Sequence, residues 1–326
     1  MITIALAAYN VEEYLEDCLK SVLVQNYTDF ELICIDDGSK DKTLQILQHY
    51  EKLDGRIRII INPVNEGLAV ARNLSIKEAK GEYIWMIDGD DIYAPDLLEK
   101  AVAIAEKDRS DIVIWDYVVF TEVHEIISEK KSLSRLQDKN SDDRLALLKT
   151  PAFTWVKLIK VEMVRELKIN FPKGYTRQDI PVHWHLMTMA KKISILPEKL
   201  SYYRQQPNAT TAQKNDKLLH LAFVLDDAKK NLVNNGNWEL YSSEFYRQQL
   251  NLLFGMYDNI RQEFKDKALF LIKERLTQDH YNYIDNNEGV RKQAKWFYQS
   301  LKNNKIAKLK FYFWKKARSL YRTIKR

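Results

Sequence analysis

The chain has 326 residues and a mass of 38.5 kDa, enough for two domains with buried cores. Hydrophobic residues make up 45% and charged residues 29%, which excludes a disordered, collagenous or disulfide-scaffold protein. The net charge of +6 is unevenly placed: residues 289–326 carry 13 Lys/Arg and no acid, leaving 38 basic against 45 acidic residues before them, so only the tail suits an anionic partner.

The first hundred residues alternate between two periods. Ile2 to Ala8 reads as a strand, and Val11 to Val24 carries apolar residues at helical spacing. Glu31 to Asp36 is a second strand and Lys42 to Leu53 a helix. Arg56 to Ile61, Glu82 to Asp88 and Asp111 to Trp115 are further strands, separated by helices over Gly67 to Ala79 and Pro95 to Glu106. Near-continuous apolar strands alternating with helices predict an α/β fold with a mostly parallel sheet covered on both faces. Residues 121–150 read as a polar, irregular insert, and Trp155 to Leu167 as a mixed amphipathic segment. A helix starts near Pro181, and Ser194 to Leu196 and Leu200 to Tyr203 read as two short strands. From Asp216 onward the pattern is helical, which predicts a domain over 1–212 and an all-helical region over 213–326.

Cys18 and Cys34 lie in apolar patterns without metal-site spacing and read as core residues of a reducing compartment. No apolar window of about 18 residues predicts a spanning helix. The opening strand has no basic leader before it, so the expected location is cytoplasmic.

The chemistry gathers at the ends of the strands. Asn10 and Glu12 follow the first, Asp36 and Asp37 end the second, Asn65 and Glu66 follow the third, and Asp88, Asp90 and Asp91 end the fourth. The carboxyl edge of an open parallel sheet is where ligands bind, so these clusters converge on one site. Crowded carboxylates at Asp88 to Asp91 call for a positive charge. A hard divalent cation, Mn²⁺ or Mg²⁺, would supply it and could also hold a diphosphate. The plain alternative is a polar turn ending the strand, with Asp91 starting or capping the next helix. The chain has no Gly-x-Gly-x-x-Gly after the first strand, no Walker-type loop and no serine elbow, which disfavours dinucleotide, P-loop and serine-hydrolase chemistry.

Four motifs, Ala8-Tyr9-Asn10-Val11-Glu12, Ile35-Asp36-Asp37-Gly38-Ser39, Asn65-Glu66-Gly67 through Arg72-Asn73, and Ile87-Asp88-Gly89-Asp90-Asp91, together resemble the inverting family 2 glycosyltransferases of GT-A fold. The resemblance covers about the first 115 residues strongly and 150–212 more weakly, with Ala8 standing where the family usually has proline. It implies a Rossmann-like sheet that binds a nucleotide-sugar donor, with a UDP-sugar expected. Tyr9 and Asp37 or Asp36 would hold the nucleobase, Ala8, Asn10, Glu12, Asn65 and Gly67 would line the donor pocket, and Arg72 would approach the nucleotide or its diphosphate. Asp90 and Asp88 would hold the metal, with Asp88 also near the ribose. The family's Glu-Asp pair before a helix reads Gln178-Asp179 here, which leaves Asp179 as the candidate base; a helix cap before Pro181 is the lesser reading, and the two roles can coexist. His183 and His185 lie two residues apart on a helix and do not share a face, which argues against a metal site there. Arg204 stands where some relatives place a histidine ligand. It cannot ligate a metal but could pair with phosphate, and the third ligand stays unassigned. Trp155 and Lys157 resemble an acceptor-bordering segment, with core packing an equal reading for the tryptophan.

The tail, 306–326, segregates Ile306, Leu309, Phe313, Ala317, Leu320 and Ile324 from Lys308, Lys315, Arg318, Arg322, Lys325 and Arg326. Trp314 and Tyr321 flank the apolar stripe. An interfacial helix on the anionic inner face of the cytoplasmic membrane fits this pattern, as does packing on the body or in a homo-oligomer. Nucleic acid is disfavoured by the acidic body. The functional expectation is a metal-dependent inverting glycosyltransferase that adds a sugar to a glycan or lipid-linked acceptor in cell-surface polysaccharide or lipopolysaccharide biosynthesis. A nucleotidyltransferase, or a non-catalytic sugar-nucleotide or glycan-binding module, are the alternatives.

Overall fold

The computed structural model describes residues 1–123, 125–126, 133–206, 214–286 and 289–324, with side chains of the last stretch described to Arg318. Its contacts divide the chain into Met1–Ala212 and Gln213–Arg326. The residues at that division, 207–213, lie outside the described residues.

The first unit is built on one eight-stranded sheet. In chain order its strands are β1 (Ile2–Ala8), β2 (Phe30–Asp36), β3 (Ile57–Ile61), β4 (Tyr83–Asp88), β5 (Ile92–Tyr93), β6 (Ile112–Phe120), β7 (Lys157–Lys160) and β8 (Ile193–Arg204). Their spatial order is β3-β2-β1-β4-β7-β6-β8-β5. Pairings β1 with β2, β1 with β4, β2 with β3 and β6 with β8 are parallel. Strand β7 enters antiparallel between β4 and β6, and β5 pairs antiparallel with β8, so the mostly parallel sheet is mixed at these two short strands. Helices α1 (Leu15–Leu23), α2 (Thr43–Leu53), α3 (Leu68–Glu78) and α4 (Leu97–Asp108) connect the first six strands.

The apolar runs explain the layering. Ile2, Ile4 and Leu6 of β1 pack with Leu15, Cys18, Leu19 and Val22 of α1 and with Trp85 and Ile87 of β4 in one core. Ile33 and Ile35 of β2 point to the opposite face, where Ala71 of α3 covers them. Period-two strands buried on both faces therefore read as unbroken apolar runs. Full burial of each Ile or Leu stabilises this arrangement by roughly 1.5–3 kcal/mol. Helix α4 ends where Arg109 turns left-handed at φ 51° and Ser110 N–H donates back to Ala105 O at 2.9 Å.

The two short strands expected over 194–203 are one strand, β8. Its pairing with β6 slips between Leu196 and Lys199, opposite Trp115 and Asp116. Pro197 falls in this irregularity, where a missing N–H costs no ladder bond. The amphipathic segment after Trp155 splits into β7 and a short helix, α6 (Val161–Glu166), preceded within the polar insert by α5 (Arg144–Leu147). Helix α7 (Asp179–Met189) opens at Asp179, with Gln178 in the capping position. Asp91 starts no helix: β5 follows it, and α4 is reached only at Leu97.

The second unit is helical: α8 (His220–Asn234), α9 (Trp238–Asn259), α10 (Lys265–Arg275), α11 (Gln278–Asn286), α12 (Lys292–Leu301) and α13 (Lys305–Ile324). In α13 the inward face is Ala307, Phe311 and Trp314. Phe311 and Trp314 meet Phe254 of α9 at ring-centroid distances of 6.3 and 5.8 Å, and Phe311 meets Phe297 of α12 at 5.4 Å. Arg318 pairs with Asp258. Trp314 is thus a packing residue rather than a flank of the apolar stripe. The expected stripe itself faces out, with Ile306 68% and Phe313 59% exposed and Leu309 also exposed. The roles expected for Leu320, Tyr321, Arg322 and Ile324 concern side chains beyond those described, and Lys325 and Arg326 lie outside the described residues.

Candidate active site

The register of β1 places Ala8 beside Asp36 of β2 and Ala7 beside Asp88 of β4, so the loops that follow these strands share one sheet edge. The loops then brace one another. Asn10, left-handed at φ 51°, accepts Lys40 N–H on Oδ1 at 2.8 Å, and its own N–H donates to Ser39 Oγ at 3.2 Å. Glu12 Oε2 accepts Lys42 N–H at 2.8 Å while Glu12 N–H donates to Asp41 Oδ2 at 3.0 Å. These side chains hold the first loop on the second. Ala8 contributes its carbonyl, which accepts Asp37 N–H at 2.9 Å.

Asp37 has a different task from the nucleobase contact expected of it. Its carboxylate is buried and accepts from Asn62 Nδ2 at 2.8 Å, Glu66 N–H at 3.0 Å and Gly67 N–H at 2.7 Å. It fixes the third loop and the start of α3. Gly38 permits this close approach: at φ +72°, a Cβ there would lie 2.8 Å from Val64 C and 2.9 Å from Asn65 N. Gly67, at φ +94°, then turns the chain into α3. Asp36 accepts Ser39 N–H at 3.3 Å on Oδ2, while its Oδ1 is buried without a partner among the described residues. Of the two acids, Asp36 keeps an acceptor without a partner among the described residues, though both are buried. Tyr9 is 44% exposed, which leaves its ring face open to a planar ligand. Asn65 is exposed in the third loop.

Arg72 joins distant parts of the chain. It is 3% exposed, donates from Nη2 to Asp88 Oδ1 at 2.9 Å, and from Nη1 to Asp179 Oδ1. The turn before α7 reaches Arg72 because Asn73 Nδ2 donates to Phe171 O at 2.9 Å and accepts Phe171 N–H on Oδ1 at 2.8 Å. Lys173 adds an ion pair to Glu66 at 2.7 Å. Burial pushes the Asp179 carboxyl above the usual carboxylate range, opposed by the Arg72 charge, with Asp88 adding to the rise and Lys157 countering it. Burial works against the Arg72 charge, but Asp179 and Asp88 outweigh it and hold the guanidinium above its ordinary value. Asp179 also stands at the amino end of α7, where the helix dipole favours a negative charge.

The acidic loop is held from beneath by Arg204. Its N–H donates to Asp91 Oδ1 at 2.9 Å, Nε to Asp90 O at 3.0 Å and Nη2 to Asp17 Oδ2 at 3.1 Å. Arg204 therefore builds the loop, in place of the expected pairing with phosphate. Asp91 is fully buried, with Oδ2 unpartnered among the described residues. Burial, then Asp90 and Asp88, push its carboxyl well up.

Asp88 and Asp90 are the two carboxylates expected to hold a metal; Asp88 Oδ1 accepts from Arg72 Nη2. Among the described residues, no group of three or more His, Cys, Asp or Glu is placed to hold a metal ion. The set fits a hard cation completed by phosphate oxygens and water, the usual arrangement for Mg²⁺ on a nucleotide. The Asp90 carboxyl is pushed up to about 6, first by burial and then by the charge of Asp88, with the Arg204 charge opposing the rise. Its Oδ2 accepts Gln206 Nε2 at 2.8 Å.

Trp155 is a packing residue. It stacks between Phe153 at 4.8 Å and Tyr203 at 5.4 Å, and its carbonyl accepts Trp85 Nε1 at 3.1 Å. Lys157 is 1% exposed and donates to Pro151 O at 3.3 Å and to Phe153 O. Burial lowers its ammonium to about 7; Asp179 raises it and Arg72 lowers it further.

The family model described as Glycosyl transferase family 2 matches residues 3–168. TuaG of Bacillus subtilis, described as a teichuronic acid biosynthesis glycosyltransferase, is 29% identical over 218 residues, 66% of this chain and 82% of its own. The structure of S. aureus TarS 1–349 in complex with UDP-GlcNAc aligns with TM-score 0.60 and 16% identity over 92% of this chain and 91% of that one. The mannosyltransferase PcManGT of Pyrobaculum calidifontis, in complex with GDP-Man and Mn²⁺, aligns with TM-score 0.53 and 14% identity, covering 95% and 82% of the two chains.

Proposed function

The chain belongs to glycosyl transferase family 2, and on that premise we propose that it is a metal-dependent, inverting enzyme that moves a sugar from a UDP-sugar to a hydroxyl of a glycan or lipid-linked acceptor in surface-polysaccharide biosynthesis. The observation that carries this reading is Arg72 bridging Asp88 and Asp179, residues 91 positions apart in sequence, at the sheet edge where four loops converge. A uridine donor is supported by the UDP-GlcNAc complex of a fold neighbour, and a polysaccharide acceptor by the description of TuaG.

The donor's base lies against Tyr9, at the strand end that carries Asp36. Asn10 and Glu12 shape the first loop, while Asn65, Gly67 and Asp37 shape the third. Asp88 and Asp90 would hold Mn²⁺ or Mg²⁺. Bound there, the cation would act as a Lewis acid that offsets charge on the leaving diphosphate. Asp179 takes the proton from the acceptor hydroxyl as its oxygen bonds the anomeric carbon and the bond to the diphosphate breaks on the opposite face, which inverts that carbon. Arg72 positions Asp179 and keeps it ionised. Burial makes the carboxylate more basic than an exposed aspartate, as a general base near neutral pH requires.

No helix among the described residues is long and apolar enough to cross a membrane. The outward stripe of α13, with lysines around it, supports peripheral attachment to the anionic inner face of the cytoplasmic membrane, where a lipid-linked acceptor would be presented. Asp179→Asn tests the assignment of the base. It should lower kcat by about 10²–10⁴ while the donor KM stays within about threefold. Wild-type turnover in this variant would remove Asp179 from the mechanism.

A further inference from the structure

The end of β8 delivers two side chains to the acidic loop. Gln205 N–H donates to Phe120 O at 2.8 Å, which keeps the chain alongside β6 past the last residue of β8. Arg204 and Gln206 are two residues apart, the spacing that puts side chains of an extended chain on one side. Both reach Asp90. Arg204 takes its main chain, with Nε on Asp90 O at 3.0 Å, and Gln206 takes its carboxylate, with Nε2 on Oδ2 at 2.8 Å. The guanidinium has no lone pair to offer a cation, whereas the amide oxygen has two.

Among the described residues, Gln206 is the one neutral side chain bonded to the carboxylate of Asp88 or Asp90; the other bond runs from Arg72 to Asp88. Gln206 is half-buried, and its Oε1 takes no hydrogen bond among the described residues. A half-turn of the amide puts Oε1 where Nε2 stands, since the two atoms are nearly alike in size and place. That point has the spacing of a metal ligand. A small hard cation such as Mg²⁺ holds its oxygens at about 2.1 Å in an octahedron, so neighbouring ligand oxygens lie about 3 Å apart. The half-turn gives up one hydrogen bond, and a cation shared by the two oxygens replaces it.

We propose that Gln206 is the third protein ligand of the cation held by Asp88 and Asp90, through its amide oxygen; this rests on the metal-dependent reading above. The charges favour a neutral donor here. Two carboxylates already match a dication, and a third would repel the diphosphate that has to share the ion. Two carboxylates and one amide carbonyl make an all-oxygen set, which suits Mg²⁺ and Mn²⁺ rather than softer metals. The third donor is neither an acid, a histidine nor a cysteine, so no cluster of three such residues stands at this loop among the described residues. Gln206 also ties the ion to the end of β8, so that one cation fixes both the acidic loop and the strand end beside it.

The test is Mn²⁺ binding to the full chain with UDP present, followed from the electron paramagnetic resonance signal of free Mn²⁺ against a UDP-only control. Waters on the bound ion are counted from line broadening in H₂¹⁷O. Gln206→Ala should weaken Mn²⁺ binding at least about tenfold, the loss seen even for partners one shell farther out, and the bound ion should gain one water. Gln206→Glu keeps an oxygen at this point, and should bind Mn²⁺ at least as tightly as wild type with the wild-type number of waters. Unchanged affinity in Gln206→Ala would overturn the proposal. So would weaker binding with an unchanged water count, which would make Gln206 an orienter of Asp90 and not a ligand, or weaker binding in Gln206→Glu. Asp90→Asn separates the two readings. If it binds Mn²⁺ as wild type does, the metal site itself is misplaced and the proposal falls with it; if it loses Mn²⁺ while Gln206→Ala does not, the proposal alone falls.

Discussion

Asp36 and Asp37 are neighbours in sequence with opposite fates. Asp37 receives three donors and becomes a brace for the third loop, while Asp36 keeps an unpartnered oxygen. The difference separates stability from binding. Asp37→Ala leaves Asn62 Nδ2 and two backbone N–H groups without their acceptor, a cost of about 3 kcal/mol. Its thermal midpoint should fall by several degrees, whereas Asp36→Ala should keep the midpoint near wild type and raise the donor KM. Equal midpoints in the two variants would show that the brace has been misassigned. Adjacent acids at a strand end read alike in sequence, because which one receives the donors of the third loop depends on residues 25–30 positions away. Arg72 was similarly legible as a site residue but not in its partners. Its contact with Asp179 depends on Asn73 fastening the 171–178 turn, a link spanning about a hundred residues. Gln206 gave no signal at all, since a glutamine just past a strand has the same appearance whether it is solvated or set on a carboxylate.

At the scale of elements, strands β1 to β4 were readable because each is an apolar run that ends in polar residues. Strand β7 was not. Lys157-Leu158-Ile159-Lys160 fits a helix as well as a strand, and only the gap between β4 and β6 selects the strand. The mostly parallel sheet is interrupted at this insertion and at the two-residue β5, which the sequence pattern did not announce. In α13 the sequence pattern found a real apolar stripe but placed Trp314 beside it, when a second apolar face made by Ala307, Phe311 and Trp314 serves packing. A helix with two apolar faces can dock on its own unit and still present the other to a membrane. Phe313→Glu, on the outward face, should lower binding to vesicles of 30% anionic lipid (on the order of the charge where such helices bind) by about tenfold. Thermal stability should be maintained, and binding of the wild type should weaken with salt. Equal binding of wild type and variant would contradict a lipid role for this stripe.

Across the whole molecule, the fold explains why chemistry from four separate motifs meets. Parallel strands deliver their following loops to one edge, β7 carries Lys157 to that edge, and the turn before α7 adds Asp179. The acids at Asp88 and Asp90 supply negative charge without a neutralising protein cation of their own, Arg72 being shared with Asp179 and Arg204 lying beneath the loop. That charge deficit is the central claim about the donor site, and a donor panel tests it most directly. Nucleoside diphosphate and pyrophosphate release are measured for UDP-, GDP- and dTDP-sugars, with Mn²⁺ and with chelator, for wild type and Asp90→Asn. The account predicts nucleoside diphosphate as the released product, dependence on Mn²⁺, and a loss of at least about a hundredfold in Asp90→Asn. Pyrophosphate release, or full activity of Asp90→Asn in chelator, would contradict it.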